Sequence, residues 1–155
     1  MLVSSVNFFG QNEAPKLSDA DQVRLLVFQE LLKPWLPEPR ADQSAFLAKA
    51  FYFQIENKKD PSKELLGALA KARLPFREAS RSFISRPDGS IVLDKKTRKR
   101  GILFTIYKLS WKGKNEAVVS AGNYEGNMSA FECTYLLKRD ESLWRLVSAE
   151  NCMIS

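Results

Sequence analysis

The chain has 155 residues, 45% of them apolar, with a formal charge of +6, two cysteines and no histidine. This length suits one domain that buries roughly two-thirds of its unfolded surface without a metal or a disulfide scaffold, and no stretch approaches the ~20 apolar residues of a membrane span. Lack of histidine excludes Ser-His-Asp and Cys-His nucleophile systems, HExxH zinc sites and the zinc deaminase signature within one chain.

The opening MLVSSVNFFG has no positive stretch before its short apolar run and is a poor signal peptide, which favours a cytoplasmic setting. A leader removed from the native N-terminus would change that to export. Residues 1–17 read as an extension and 18–155 as a single domain. Ser18 caps the first helix, with Asp21 three residues on, and Asp19 and Asp21 sit at the positive end of its dipole. Ala20, Val23, Val27 and Leu31 form one stripe, widened by Leu25, Leu26, Phe28 and Leu32, and Pro34 and Pro37 end the run. In AFLAKAFYFQIEN the alternation of Phe51, Phe53 and Ile55 with Tyr52, Gln54 and Glu56 predicts a strand in the second half. A second helix follows, with Asp60 expected at the N-cap, Pro61 at the first helical position, and Leu65, Leu69 and Ala72 on one face.

From there the pattern turns to strands. Phe76–Ile84 predicts a short one, RPDG at Arg86–Gly89 a turn, and Ser90–Leu93 another small strand. Gly101–Trp111, GILFTIYKLSW, is rich in residues that suit a pleated surface. Three more strands follow at Glu116–Tyr124, Ser129–Lys138 and Leu143–Ala149, separated by a reversal at Gly126–Asn127 and by the turn RDES. The expected fold class is α+β, a strongly curved antiparallel sheet with the N-terminal helices on its concave face.

The positive charge is concentrated. Lys95, Lys96, Arg98, Lys99 and Arg100 supply five charges, and the rest of the chain is close to neutral at +1. No aromatic residue lies among them, so sequence-tolerant stacking on nucleic acid is not expected. The cluster reads as a solvated loop or strand edge that discourages edge pairing, with contact to an anionic polymer as the alternative.

GNYEG, then an aromatic and small-residue strand, then RDESLWRLVS with Trp144 and terminal CMIS, resemble the sheet end of the nuclear-transport-factor-2-like superfamily, an architecture also described as cystatin-like. More narrowly, DPSKELL at Asp60–Leu66, REAS at Arg77–Ser80 and GNYEG at Gly122–Gly126 resemble a poorly characterised family of small bacterial proteins, over residues 18–155. The resemblance implies a cone-like cavity rather than one reaction, since the superfamily holds isomerases, dehydratases, cyclases, transport adaptors and toxin-immunity proteins. It also implies a homodimer through the outer sheet face. Enzymes of the group rely on Asp and His, or Tyr and Asp, inside the cavity; this chain has no histidine and no Tyr-Asp pair recognisable by spacing. The narrower group is often exported, which conflicts with this N-terminus.

Tyr107, Trp111, Tyr124 and Tyr135 are the candidates for lining a ligand cavity, and Glu132 the candidate base. Parity places Phe131, Cys133, Tyr135 and Leu137 on the core face, however, and Glu132 on the other. A hairpin centred near Asp140 and Glu141 puts Cys133 opposite Ser148, several residues short of Cys152, so buried thiols are expected rather than a bridge. Two cysteines alone do not make a metal site, and no metal or cofactor is expected. The leading expectation is a non-enzymatic binding domain for a protein partner or small hydrophobic ligand. The alternatives are a cavity isomerase, cyclase or dehydratase acting on a small carbonyl compound, and anionic-polymer binding through residues 95–100.

Overall fold

The computed structural model describes residues 16–36, 50–71, 76–86 and 90–155. Helix α1, Asp19–Leu32, starts where Ser18 Oγ accepts the amide of Asp21 at 3.1 Å. Its buried stripe is Val23, Val27, Phe28, Leu31 and Leu32, and a 3-10 turn at Lys33–Trp35 with Pro34 inside it follows. Strand β1 is Ala50–Gln54; the first half of the expected segment lies outside the described residues. Helix α2, Lys63–Ala70, is capped by Ser62, whose Oγ accepts from Leu65 N at 3.1 Å, and not by Asp60. Asp60 instead accepts the amide of Ser80 at 2.9 Å, tying the loop before α2 to the chain beyond it. Leu65 and Leu69 are buried as their spacing predicts, whereas Ala72 lies outside the described residues.

The stretch expected as one strand over 76–84 is two, β2 (Phe76–Glu78) and β3 (Ser82–Ser85), separated by a 3-10 turn at Ala79–Arg81. The expected RPDG turn falls mostly on 87–89, outside the described residues. Strand β4 is Ile91–Asp94, β5 is Gly101–Trp111, β6 is Glu116–Gly126, β7 is Ser129–Asp140 and β8 is Leu143–Ile154.

The main sheet has six strands in the order β2-β1-β5-β6-β7-β8. The last four form an antiparallel meander, while β1 runs parallel to both β2 and β5. The class is therefore α+β as expected, with two helices and a large, mostly antiparallel sheet. The sheet is not strongly curled, however, and its β1 pairs are parallel, which corrects the strongly curved antiparallel sheet expected. One sheet face meets the helices through Phe51 and Phe53, Ile102, Phe104 and Ile106, Val119 and Ala121, and Cys133, Tyr135 and Leu137, all buried in one cluster with α1 and α2. Phe53 stacks on Phe104 at 5.3 Å and meets Phe28 of α1 edge-on at 4.9 Å. Arg24 of α1 clamps both oxygens of Glu56 at 3.0 and 3.1 Å and reaches Asp21 at 2.8 Å, while Ser62 Oγ donates to Asp21 at 2.7 Å. This network joins the first turns of both helices to the end of β1.

The antiparallel pair β3-β4 forms a separate two-stranded sheet, tied to the opposite face of the main sheet by hydrogen bonds from Tyr52 to Asp94 and from Tyr124 to Ser90. Among the described residues no helix is long and apolar enough to cross a membrane.

The cysteines correct the sequence reading, because Cys133 and Cys152 form a disulfide. Asp140 pairs with Leu143, so the turn lies at Glu141 and Ser142, one residue later than expected, which alone brings Glu150 opposite Cys133. Register shifts between Leu136 and Leu137 and between Glu132 and Thr134 each insert one extra residue in β8, and together they carry Cys152 to that position. Asn151, in the second shift, adopts φ 52°, the left-handed region that asparagine tolerates. A simple hairpin count misses bulges, and here two of them bring the thiols together.

Candidate functional site

The C-terminal end of α1 and the adjoining strands leave a cleft of about 560 Å³. Leu31, Pro34 and Trp35 form its helical wall, and Phe131, Tyr135 and the Cys133–Cys152 bridge form its sheet wall. The volume falls within the range of small-molecule sites, roughly 300–1,000 Å³, and the lining is mainly apolar. Its polar groups are few. Asn123 is buried on the same face, where it pairs with Phe131 across the sheet, and its amide brings both donors and an acceptor to the wall. Burial raises the Tyr135 phenol to about 12, with the nearby charge of Glu30 adding to the effect, so at neutral pH it is an un-ionised hydroxyl. Glu30 itself is held in an ion pair by Lys33, and both lie at the helical wall.

Of the four aromatic candidates, the fold brings Tyr135 alone to this cleft. Tyr124 projects from the other face of the sheet, where its hydroxyl donates to Ser90 O at 2.6 Å and holds the β3-β4 pair. Trp111 is 44% exposed and leans on Trp144 at 5.5 Å, at the opposite end of the sheet. Tyr107 occupies the register shift between Ile106 and Lys108 and is 47% exposed; its phenol is raised by partial burial and then by the charge of Glu132. Glu132 lies on the outer face and accepts from Ser120 Oγ at 3.1 Å, in keeping with the strand parity. Trp35, Asn123 and the disulfide are cleft residues that spacing did not single out. Trp35 follows the expected helix end, and Asn123 sits at a core-parity position of β6, a polar residue among apolar ones; that second signal was present in the sequence.

A tyrosine and an aspartate do come together, but elsewhere. Tyr52 donates to Asp94 Oδ2 at 2.5 Å, and Arg77 donates to the same oxygen at 3.0 Å. The other oxygen, Oδ1, accepts the amides of Lys96 at 2.9 Å and Thr97 at 2.8 Å. The Tyr52 hydrogen bond, followed by that of the Thr97 amide, holds the Asp94 carboxyl well below the usual carboxylate range. Burial and then Asp94 push the Tyr52 phenol far above its ordinary value. Both side chains are buried and fully engaged, which makes them a structural latch between the sheet and the β3-β4 pair rather than an acid-base couple facing a substrate.

The basic candidates Lys95, Lys96, Arg98, Lys99 and Arg100 occupy the loop that this latch organises. All are exposed, and among the described residues none forms an ion pair with an acid. Arg98 stands over the Phe83 ring at 4.9 Å, so the fold supplies an aromatic neighbour that lies outside the run in sequence. A larger space of about 1,020 Å³ borders α1 and α2, but its described walls end at Leu36 and Lys71, next to residues outside the described set. Among the described residues, no group of three or more carboxylates and thiols is arranged to hold a metal ion. Comparison with protein families, with curated proteins and with solved structures finds no match.

Proposed function

We propose that the chain is a non-enzymatic binding domain, of the nuclear-transport-factor-2-like kind, whose cleft takes a small apolar or amphiphilic molecule in an oxidising compartment. The observation that carries this reading is the cleft between the end of α1 and β6–β8, apolar walls around the Tyr135 hydroxyl and the Asn123 amide. Such a composition binds by removing apolar surface from water and orients its guest with a few hydrogen bonds. The oxidising setting follows from the disulfide, since such bridges are rare where glutathione and thioredoxin keep thiols reduced. Binding is favoured over carbonyl chemistry because Glu30, the carboxylate nearest in effect to Tyr135, is neutralised by Lys33 instead of hydrogen-bonding the phenol.

The test is saturable binding of 1-anilinonaphthalene-8-sulfonate, read by its fluorescence and displaced by medium-chain fatty acids. Ala149→Trp, which fills the cleft from an exposed position of β8, is expected to weaken the probe at least tenfold. Absence of saturable binding, or equal affinity in the filled variant, overturns the reading.

A further inference from the structure

We infer that the end of the sheet at which the cleft opens docks on an anionic lipid surface. The start of β5, the end of β6, the start of β7 and the end of β8 all lie at this end, as the pairing of Leu103 with Tyr124, of Tyr124 with Ala130, and of Phe131 with Ile154 requires. Among the apolar side chains exposed there, which include Met153 at 64%, two project furthest into water. Met128, in the turn between β6 and β7, is 92% exposed, and Ile154, at the end of β8, is 85% exposed. Both also border the cleft. Isolated exposed apolar residues are ordinary, but these two share one sheet end with the chain's main concentration of positive charge.

That charge is held in place. The loop Lys95–Arg100 leads directly into β5, and Arg100 borders the same hollow as Met128. Asp94 fixes the loop through its side chain and through backbone bonds with Arg98 and Lys99, while Lys95 N donates to Arg81 O at 2.9 Å. Residues 76–100 carry eight cations against three acids, a net +5 of the chain's +6. The acid facing the Met128 hollow is Glu125, whose carboxylate accepts from Ser129 Oγ at 3.4 Å. From β5 to β8 is three interstrand spacings, about 14 Å, so the basic loop and both apolar tips fit against one patch of bilayer. Cations over anionic headgroups with apolar tips below them is the pairing that holds peripheral proteins to membranes. A nucleic acid would use the loop and leave Met128 and Ile154 without a role.

The experiment is cosedimentation of the full chain with phosphatidylcholine vesicles, with and without phosphatidylglycerol. Binding is expected only with the anionic lipid, falling as salt rises. Lys99→Glu with Arg100→Glu is expected to weaken it at least ~25-fold, from about fivefold per charge removed. Met128→Ser with Ile154→Ser is expected to weaken it roughly tenfold at unchanged salt dependence. These four positions are exposed, and circular dichroism confirms that each variant is folded. Equal sedimentation with neutral and anionic vesicles, no sedimentation with either, or binding insensitive to the Met128 and Ile154 pair overturns the proposal. Tight binding to a single-stranded oligonucleotide without vesicle binding replaces it with a polyanion site. Ala149→Trp leaves vesicle binding intact, which separates failure of this inference from failure of the cleft reading.

Discussion

Asp94 shows how one side chain can organise a functional surface without touching a ligand. It accepts four hydrogen bonds from Tyr52, Arg77 and the amides of Lys96 and Thr97 while almost wholly buried. Gly101 makes the arrangement possible, because a Cβ there would stand 2.5 Å from Tyr52 Cε2 and 2.8 Å from Ala50 O. The folded carboxyl is depressed, so its stabilisation is complete above the unfolded value near 4 and is lost as pH falls below it. Asp94→Asn removes the charge facing Arg77 and is expected to cost about 2–4 kcal/mol at pH 7. Urea denaturation checks this: the gap between wild type and variant should narrow from pH 4 downwards, and a gap independent of pH would show that the carboxylate charge is not what stabilises. The pair was not legible from spacing, since Tyr52 and Asp94 lie 42 residues apart on strands of different sheets. A trace existed nonetheless. Tyr52 falls on the polar parity of an otherwise apolar strand, and Asp94 ends one.

At the scale of elements, β7 and β8 divide the legible from the illegible. Alternation correctly gave Cys133, Tyr135 and Leu137 to the core and Glu132 to the outer face, because strand parity is local. The bridge was missed because two extra residues in β8 depend on how that strand seats against β7, which no period records. Likewise Ser62 displaced Asp60 as the helix cap once Asp60 found Ser80 across the chain. The disulfide closes a 19-residue separation, worth about 3 kcal/mol by loop-closure entropy. Reduction, or Cys152→Ser, is therefore expected to lower the melting temperature by about 6–12 °C in a chain of this size. Calorimetry with and without dithiothreitol reads it directly, and the cleft probe should weaken in parallel because the bridge forms part of the wall. An unchanged melting temperature would mean that β8 holds its place without the bond.

For the whole molecule, the class was legible and the topology was not. Helical stripes followed by alternating strands announce α+β, and local turns announce the meander, since both signals lie within a few residues of each other. Parallel pairing of β1 with β5 joins Phe51 to Ile102 and Phe53 to Phe104, and nothing near either strand encodes that choice. The result is a sheet whose stability is graded from its middle outwards. Strands β5, β6 and β7 are paired on both sides and bury Ile102, Phe104, Ile106, Val119, Ala121 and Leu137 under α1. Strand β8 is an edge whose last six residues are exposed, and β2 is a three-residue edge at the other side. Native-state hydrogen exchange is expected to follow that gradient, with amides of β5–β7 opening only through global unfolding and those of β2, of β3-β4 and of residues 149–154 opening locally. Adding reductant should speed exchange over 149–154 most, and leave the slowest amides of β6 reporting the lowered global stability alone. If 149–154 exchange as slowly as β6 in the oxidised protein, the edge is as stable as the centre, and stability is not graded from the middle of the sheet outwards.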